Sequence, residues 1–578
     1  MASIQCKTSR GHKYWYKVES RRVNGKPRPI VLAYLGKAEG LLKRLQGIAG
    51  AVKLKSYSHG LVAALLDISS KLNIAEIINK YTCSKRLYTS EKPLRNNLTA
   101  GITLLLAAIG RIAMPTSKRG WAVWAKTTSL GYLLRRNLSK IDSQHFWDLM
   151  DAIPEEVICK IEASILEEVF KIYNIETDSL FFDSTNFFTY IDSTNLRSKI
   201  ALRGKNKQKR NDLRQVGLAL VVTKDDMIPL FHLTYEGNLN DSTVFKKVIS
   251  DVVKRTDELN FDLKKHTIVF DRGNNSKPNL KILESLELFY VGALTPYHHR
   301  ELIEDACGNF EDINIGEAVI KAYRNRRVIW EKDRTVVVFV SDKLKAGRIR
   351  GIYQSLSKAE KKLKELQASL VSLSAKKRKK GKLEKTIATI LKGQYIKHII
   401  DFSLAETDKE RFVLDFFINY EKLKRVEEDL GFRIIMTNRH DWDTASIIKA
   451  YHGQSKVENA FKNLKNPYHL SIKPQFHWTD QKVRVHFFIC VLGYLLAAIV
   501  WRKARLGAQF SGTLNNLLDT LGNIRLAALL EENKNRGAVK AIYKLEEVSD
   551  IENRLMQALE IEDLHNNRPK IGGVSVYK

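Results

Sequence analysis

Short apolar runs and longer amphipathic stretches alternate along this chain, and their periods change several times. HKYWYKVES and RPIVLAYLG read as strands separated by the turn residues of NGKPR, so residues 1–55 are expected to form a small basic β unit. Over 56–170 the apolar spacing becomes i, i+3/i+4, as in LVAALLDISSKLNIAEIINK and GITLLLAAIGRIA, which predicts a helical domain. Residues 171–295 change again. TDSLFFDSTNFF, QVGLALVVTK, MIPLFHLTYEG, HTIVFDRGNN and LELFYVGAL are strand-like. The helical stretches STVFKKVISDVVKRTDELN and KPNLKILESL fall between the later ones. A three-strand meander followed by helix, strand, helix and strand predicts a mixed α/β sheet.

Residues 296–440 read as a separate segment, with strands in RRVIWEKDRTVVVFVSD followed by a basic helical region. Leu356, Ala359, Leu363, Leu366, Leu370 and Leu373 follow a 3–4 spacing, and Leu383, Ile387 and Ile390 resume it. This predicts an antiparallel helical hairpin with a lysine-rich tip at Lys376-Lys377-Arg378-Lys379-Lys380-Gly381-Lys382. Such a tip either grips phosphates or is simply solvated. Residues 441–510 comprise the helix YHGQSKVENAFKNLK, a linker with aromatics and an apolar helix; 511–578 is expected to be helical.

With 578 residues, 44% hydrophobic and 28% charged, the chain has the composition of a globular protein with several domains. Lys and Arg total 96 against 64 acids, a formal charge of +32. Charge of that size opposes compaction and points to a polyanionic partner, nucleic acid first and a membrane surface second. The apolar run Phe487–Trp501 is too short to span a bilayer and reads as a buried core helix, so no membrane partner is expected. No apolar leader is expected either. The cysteines Cys6, Cys83, Cys159, Cys307 and Cys490 are scattered and never form C-x-x-C. That favours neither disulfides nor a zinc site, and suggests buried thiols in a reducing cytoplasm.

Asp183 ends the apolar run SLFFD, Asp271 ends TIVFD, and Glu458 lies on the helix YHGQSKVENAFKNLK. Each alone could be a turn or cap residue. If their elements adjoin, the hard oxygen donors would suit Mg²⁺ or Mn²⁺. Two such ions ~3.5–4 Å apart could act on a phosphodiester.

Tyr451, Gln454, Glu458 and Lys465 stand as Y-x2-Q-x3-E-x6-K. This resembles the Y-x2-R-x3-E-x6-K signature of bacterial insertion-sequence DDE transposases, the cut-and-paste group that includes the Tn-type hairpin-forming enzymes. FFDSTNFF resembles the first-aspartate strand, VFDRGNNS the second, and YEGNLNDST the G-N-x-x-D segment. GFRIIMTN and SIKPQFHWTDQKVRVHFFIC resemble the flanking blocks, with weaker similarity in VNGKPRPIVLAYLG. The resemblance covers roughly 178–300 and 430–505. It implies an RNase H-like α/β core interrupted by an insertion domain, with N-terminal β and helical parts binding DNA and a helical C-terminal region.

The resemblance further implies Asp183, Asp271 and Glu458 as catalytic metal ligands for two ions, Mg²⁺ with Mn²⁺ as the substitute. The spacing of Tyr451, Gln454, Glu458, Lys462 and Lys465 predicts one continuous helical stripe. The resemblance makes Tyr451, Gln454, Lys462 and Lys465 contacts to DNA phosphates. Gln454 departs from the family arginine, so its contact would be uncharged and weaker. The loop RSKIALRGKNKQKRNDLRQ resembles the family's basic segment, so Lys205, Lys207 and Arg210 are expected on phosphates. Arg272 either touches DNA or pairs with an acid. Trp330 either packs in a core or, as in related transposases, stacks on a flipped base.

The function so implied is binding of terminal inverted repeats, metal-dependent strand cleavage and strand transfer. The expected partners are double-stranded DNA, at repeats and target, and a second copy in a synaptic dimer. The expected location is the cytoplasm, on the nucleoid when bound. A catalytically silent DNA-binding relic and a metal-dependent nuclease are the alternatives.

Overall fold

The computed structural model describes residues 2–9, 12–23, 26–36, 52–82, 96, 98–206, 208–259, 263–371, 379–408, 411–428, 430–531 and 540–571. The chain divides into two compact units, one of residues 170–462 and one of residues 1–169 with 463–578.

The unit of residues 170–462 is built on strands β1 (Ser179–Thr189), β2 (Arg214–Thr223) and β3 (Pro229–Glu236), which form an antiparallel meander. Helix α1 (Asp241–Glu258) leads to β4 (Thr267–Phe270), and α2 (Lys277–Ser285) leads to β5 (Phe289–Leu294). β4 runs parallel to β1 and to β5. Leu180, Phe181, Phe182, Ile268, Val269 and Phe270 are all buried. These strands are covered on both faces, which is why they read as continuous apolar runs rather than alternating ones.

The sheet continues through the insertion. β6 (Glu311–Ile315), β7 (Ala318–Ile329) and β8 (Lys332–Val340) form a second meander, and β11 (Phe432–Thr437) closes it onto β5. The nine strands lie in the order β6-β7-β8-β11-β5-β4-β1-β2-β3. The five at the β3 end carry the three-antiparallel, two-parallel arrangement of an RNase H-like core. Between β8 and β11 lie α3 (Asp342–Val371) and α4 (Lys380–Ile390). The strand pair β9 (Ile400–Asp408) and β10 (Arg411–Ile418) and the helix α5 (Tyr420–Glu428) follow them.

Leu356, Ala359, Leu363 and Leu366 meet Leu383 and Ile387 in one core, which Phe412 and Leu414 of β10 complete. The helical seam therefore has a β-hairpin on it that the leucine spacing does not announce. Lys376, Lys377 and Arg378 lie outside the described residues.

In the other unit, strands Ala2–Ser9, His12–Val23 and Lys26–Gly36 form an antiparallel sheet. Val52–Ser58 joins Arg525–Glu531 and Lys540–Leu545 in a separate sheet. The C-terminal region is thus not all helical. RLAALLE has good helix formers, but pairing against Val52–Ser58 overrides them. Helix Asp480–Ala508 packs against Ala100–Ala113, Gly60–Lys71 and Asp550–Leu559, so it belongs to this helical core and not to the nine-stranded sheet.

At 29 residues this helix is longer than the run Phe487–Trp501 suggested, and long and apolar enough to cross a membrane; 94% of its apolar window is buried inside the protein. Cys6, Cys159 and Cys307 are exposed and only Cys490 is buried among the described cysteines, contrary to the expectation of buried thiols.

Candidate active site

The register of the central strands decides where the acids fall. Phe182 of β1 pairs with Phe270 of β4, so Asp183, inside β1, and Asp271, the first residue past β4, follow at the same level on neighbouring parallel strands. Backbones there are about 5 Å apart. Asp271 turns the chain into a short helical turn and its Oδ1 accepts from the Arg272 amide at 2.7 Å. Asp183 Oδ1 accepts from the Ser184 amide at 2.8 Å, and Ser184 Oγ donates to Asp241 Oδ1 at 2.9 Å. Asp241, the first residue of α1, brings a further acid to this edge. The sequence carried its signal, as the aspartate of the GNLND segment, although no role was read for it.

Glu458 arrives on a broken helix. α6 (Thr444–His452) ends at Gly453, and α7 (Ser455–Lys465) starts two residues later. The expected single stripe is therefore interrupted at Gly453-Gln454. A Cβ on Gly453 would lie 2.3 Å from Phe181 Cζ, so glycine is what lets the junction seat against β1. Gln454, 7% exposed, donates its Nε2 to the Phe182 carbonyl at 2.8 Å. It is thus turned into the protein, and its Oε1 is buried without a hydrogen-bond partner among the described residues. The expected phosphate contact is corrected to a tie between the glutamate helix and the residue preceding Asp183.

Asp271, Arg272, Tyr451, Gln454 and Glu458 line one cleft of ≈ 390 Å³, together with Arg348 of α3 and Arg433 of β11. Tyr451 is largely buried; its hydroxyl accepts from Arg433 at 2.9 Å, with the guanidinium 5.6 Å from its ring centre. Burial first, and the nearby Asp271, push the Tyr451 hydroxyl pKa up against the opposing pull of Arg433. Arg348 and Arg433 were not read from the sequence, because nothing in an isolated arginine says which cleft it will line.

The Asp183 carboxyl is pushed up to about 7, first by burial and then by Asp271, Asp241 and Glu458, against the Ser184 amide bond that lowers it. Asp183 therefore feels Asp271, Asp241 and Glu458 as like charges. Among the described residues no group of three or more His, Cys, Asp or Glu is already gathered tightly enough to hold a metal ion. The donors that do converge are carboxylates, the hard oxygen set suited to Mg²⁺ or Mn²⁺, and their mutual repulsion is what a cation would relieve.

Other expected contacts fall elsewhere. Lys462 is exposed, with its Nζ 3.3 Å from Asn459 Oδ1, and Lys465 is exposed at the end of α7. Lys205 is exposed between β1 and β2, and Lys207 lies outside the described residues. Arg210 is engaged by both oxygens of Asp212, at 2.9 and 2.7 Å. Trp330 is neither in a strand core nor on the cleft. It forms the two-residue β7–β8 turn with Glu331, at φ of 50° and 69°. Such left-handed backbone fits a hairpin turn of primed type.

The transposase DDE domain family matches residues 188–496, more than half of the chain. The chain belongs to this family. Its function is accordingly DNA transposition, and the mixed sheet is the RNase H-like core of a DDE transposase. No curated protein matches the chain. Among solved structures, the cryo-EM structure of the piggyBac transposase synaptic complex with hairpin DNA is similar at 10% identity, covering 80% of this chain and 79% of that one, with a TM-score of 0.36. Family members use divalent metal ions and act on DNA, which accords with carboxylates as the acids at this edge.

Proposed function

We propose that this DDE transposase cleaves and joins DNA where β4 ends beside the middle of β1 and the first turn of α7 begins, with Asp183, Asp271 and Glu458 as the cation-binding carboxylates. The observation that supports this most is the register Phe182–Phe270, which sets two of the acids side by side, with Gln454 tying the third acid's helix to the same point. Mg²⁺, replaceable by Mn²⁺, when bound supplies activation of the attacking oxygen and charge for the leaving oxygen. Asp183 and Asp271 from the sheet and Glu458 from the helix would hold those ions. Arg433, Arg348 and Arg272 on the cleft walls attract the phosphate of the strand to be cut, and Arg433 holds the Tyr451 ring in place. Lys462, Lys465 and Lys205 contribute charge along the flanking duplex rather than at the reacting phosphate. Their share of binding is salt-dependent and blind to sequence.

The substrate DNA comprises terminal inverted repeats and a target, and two copies of the chain hold two ends in a synaptic dimer in the cytoplasm. Family resemblance, and not this geometry, supports a bacterial insertion-sequence origin and a hairpin route. The test is incubation of the full chain and Mg²⁺ with labelled duplexes carrying the element's ends. Cleavage with joining is the expected outcome. Cleavage without joining would make the protein a nuclease, and a mobility shift alone would make it a silent binder. Asp183→Ala must abolish cleavage while leaving DNA binding intact; surviving cleavage would remove Asp183 from the site.

A further inference from the structure

The stretch Tyr468–Trp478, which precedes the helix Asp480–Ala508, buries Leu470 and Ile472 as expected but also buries polar side chains while leaving aromatic rings outside. Gln475 and His477 are buried, whereas Tyr468 is 79%, Phe476 63% and Trp478 52% exposed. At these positions polar groups face in and aromatic rings face out. This is not the looseness of a floppy loop, because the buried groups pin the backbone at many points. Arg111 donates to the carbonyls of Ser471, Lys473 and Pro474 at 3.1–3.4 Å. His469 bonds the Ile112 carbonyl and Asp519, each at 2.9 Å. His486 bonds the Ile472 carbonyl at 2.8 Å, and Gln475 donates to the His477 carbonyl at 3.0 Å. Lys118 Nζ lies 2.8 Å from His477 Nε2. The Trp478 ring is propped in turn by Trp147, 5.8 Å away between centroids, and Trp147 by His477 at 5.1 Å.

A rigid loop that presents aromatic faces to water has the form of a stacking surface. Lys473 within it and Lys465 just before it are exposed cations, on a chain of net charge +32. We propose that Tyr468, Phe476 and Trp478 form a stacking platform for the unpaired bases of single-stranded DNA, as presented at a cut or frayed end. Every base has an aromatic face, so such a platform is tolerant of sequence, and the lysines serve the accompanying phosphates. The platform belongs to the unit of residues 1–169 with 463–578 and the carboxylates to that of residues 170–462, and the proposal rests on the reading that DNA is the partner. The alternative occupant of exposed rings, a second copy of the chain, is an outcome of the test.

The test measures binding of the full chain to a labelled mixed-sequence single strand and to the blunt duplex of the same length. Phe476→Ser/Trp478→Ser is compared with the ring-conserving Phe476→Tyr/Trp478→Phe. The serine variant is expected to bind the single strand roughly tenfold or more weakly, with duplex affinity unchanged and the ring-conserving variant close to wild type. Equal loss for both DNAs, or no loss for the single strand, overturns the platform. So does a change in sedimentation of the DNA-free protein, which would make this face a contact between copies. If wild type binds neither DNA, the proposed function itself fails, and the platform with it, before any variant is compared. Should the serine variant not fold, tryptophan fluorescence decides. Single strand must quench it in the wild type, and Trp478→Phe must remove part of the quench; an undiminished quench refutes the proposal.

Discussion

Gln454→Leu separates two opposed roles for one side chain. The residue is 7% exposed, and its amide donates to the Phe182 carbonyl at 2.8 Å. A buried hydrogen bond contributes about 1 kcal/mol net. Leucine is of similar bulk, and it also removes the Oε1 that has no partner among the described residues, so the loss should stay within about 1–2 kcal/mol. For a chain this large that lowers the thermal midpoint by a few degrees at most. The larger effect falls on Glu458, one helical turn further on, about 6 Å along the axis. Once α7 is no longer tied to the residue before Asp183, the carboxylates lose their relative placement, and a misplacement of ~1 Å can cost about a hundredfold in rate. The expected outcome in single-turnover cleavage is a ten- to hundredfold slower step at saturating DNA, with a higher Mg²⁺ half-saturation, on the order set by that misplacement. DNA affinity and its salt dependence stay at wild type. If Gln454 touched a phosphate, the opposite would hold: weaker binding, with cleavage intact once DNA saturates. That result would refute the tie.

Gly453→Ala should be more severe, because its Cβ would collide with Phe181 at 2.3 Å; the full chain should lose thermal stability and cleavage together, and an unchanged melt would contradict the packing. Arg433→Met removes the bond to Tyr451 at 2.9 Å and one cation of the cleft, so binding of DNA should weaken and its salt slope fall by about one unit, read by anisotropy across a salt series. Asp183 yields a pH prediction. Its folded pKa, about 7, lies above the ordinary 3.8, so the folded state prefers the protonated form. That contribution to stability is present below the ordinary value and is lost as pH rises toward about 7. In chelator, this carboxyl should lower the melting midpoint across that window; Asp183→Asn should remove its share, and Mg²⁺ should restore stability at the upper end. A wild-type profile identical to that of Asp183→Asn would contradict the shift.

The core strands were legible because burial on both faces leaves a plain record: SLFFD and TIVFD are apolar runs ended by an acid. Their pairing was not, since no local pattern says that β4 lies beside β1 in the register that sets Asp183 by Asp271. The break at Gly453 escaped because 3 and 4 spacing is the same whether a helix runs on or tightens for a step. Gln454 was misplaced for a related reason. A polar side chain in a polar stripe reads as solvated, and only the fold shows a carbonyl waiting beneath it. The leucine seam revealed α3 and α4, but not β9 and β10, whose Phe412 and Leu414 fill the same core from a distant part of the chain. An apolar helix likewise states that it is buried without stating in which core; Asp480–Ala508 lies in that of residues 1–169 with 463–578.

The convergence of Asp183, Asp271 and Glu458 on divalent cations is most directly tested by Mn²⁺ titration of the full chain, followed by electron paramagnetic resonance. Asp183→Asn, Asp271→Asn and Glu458→Gln are each expected to weaken Mn²⁺ binding, while the exposed control Asp212→Asn leaves it unchanged. Wild-type Mn²⁺ affinity in any one of the three would contradict the shared site.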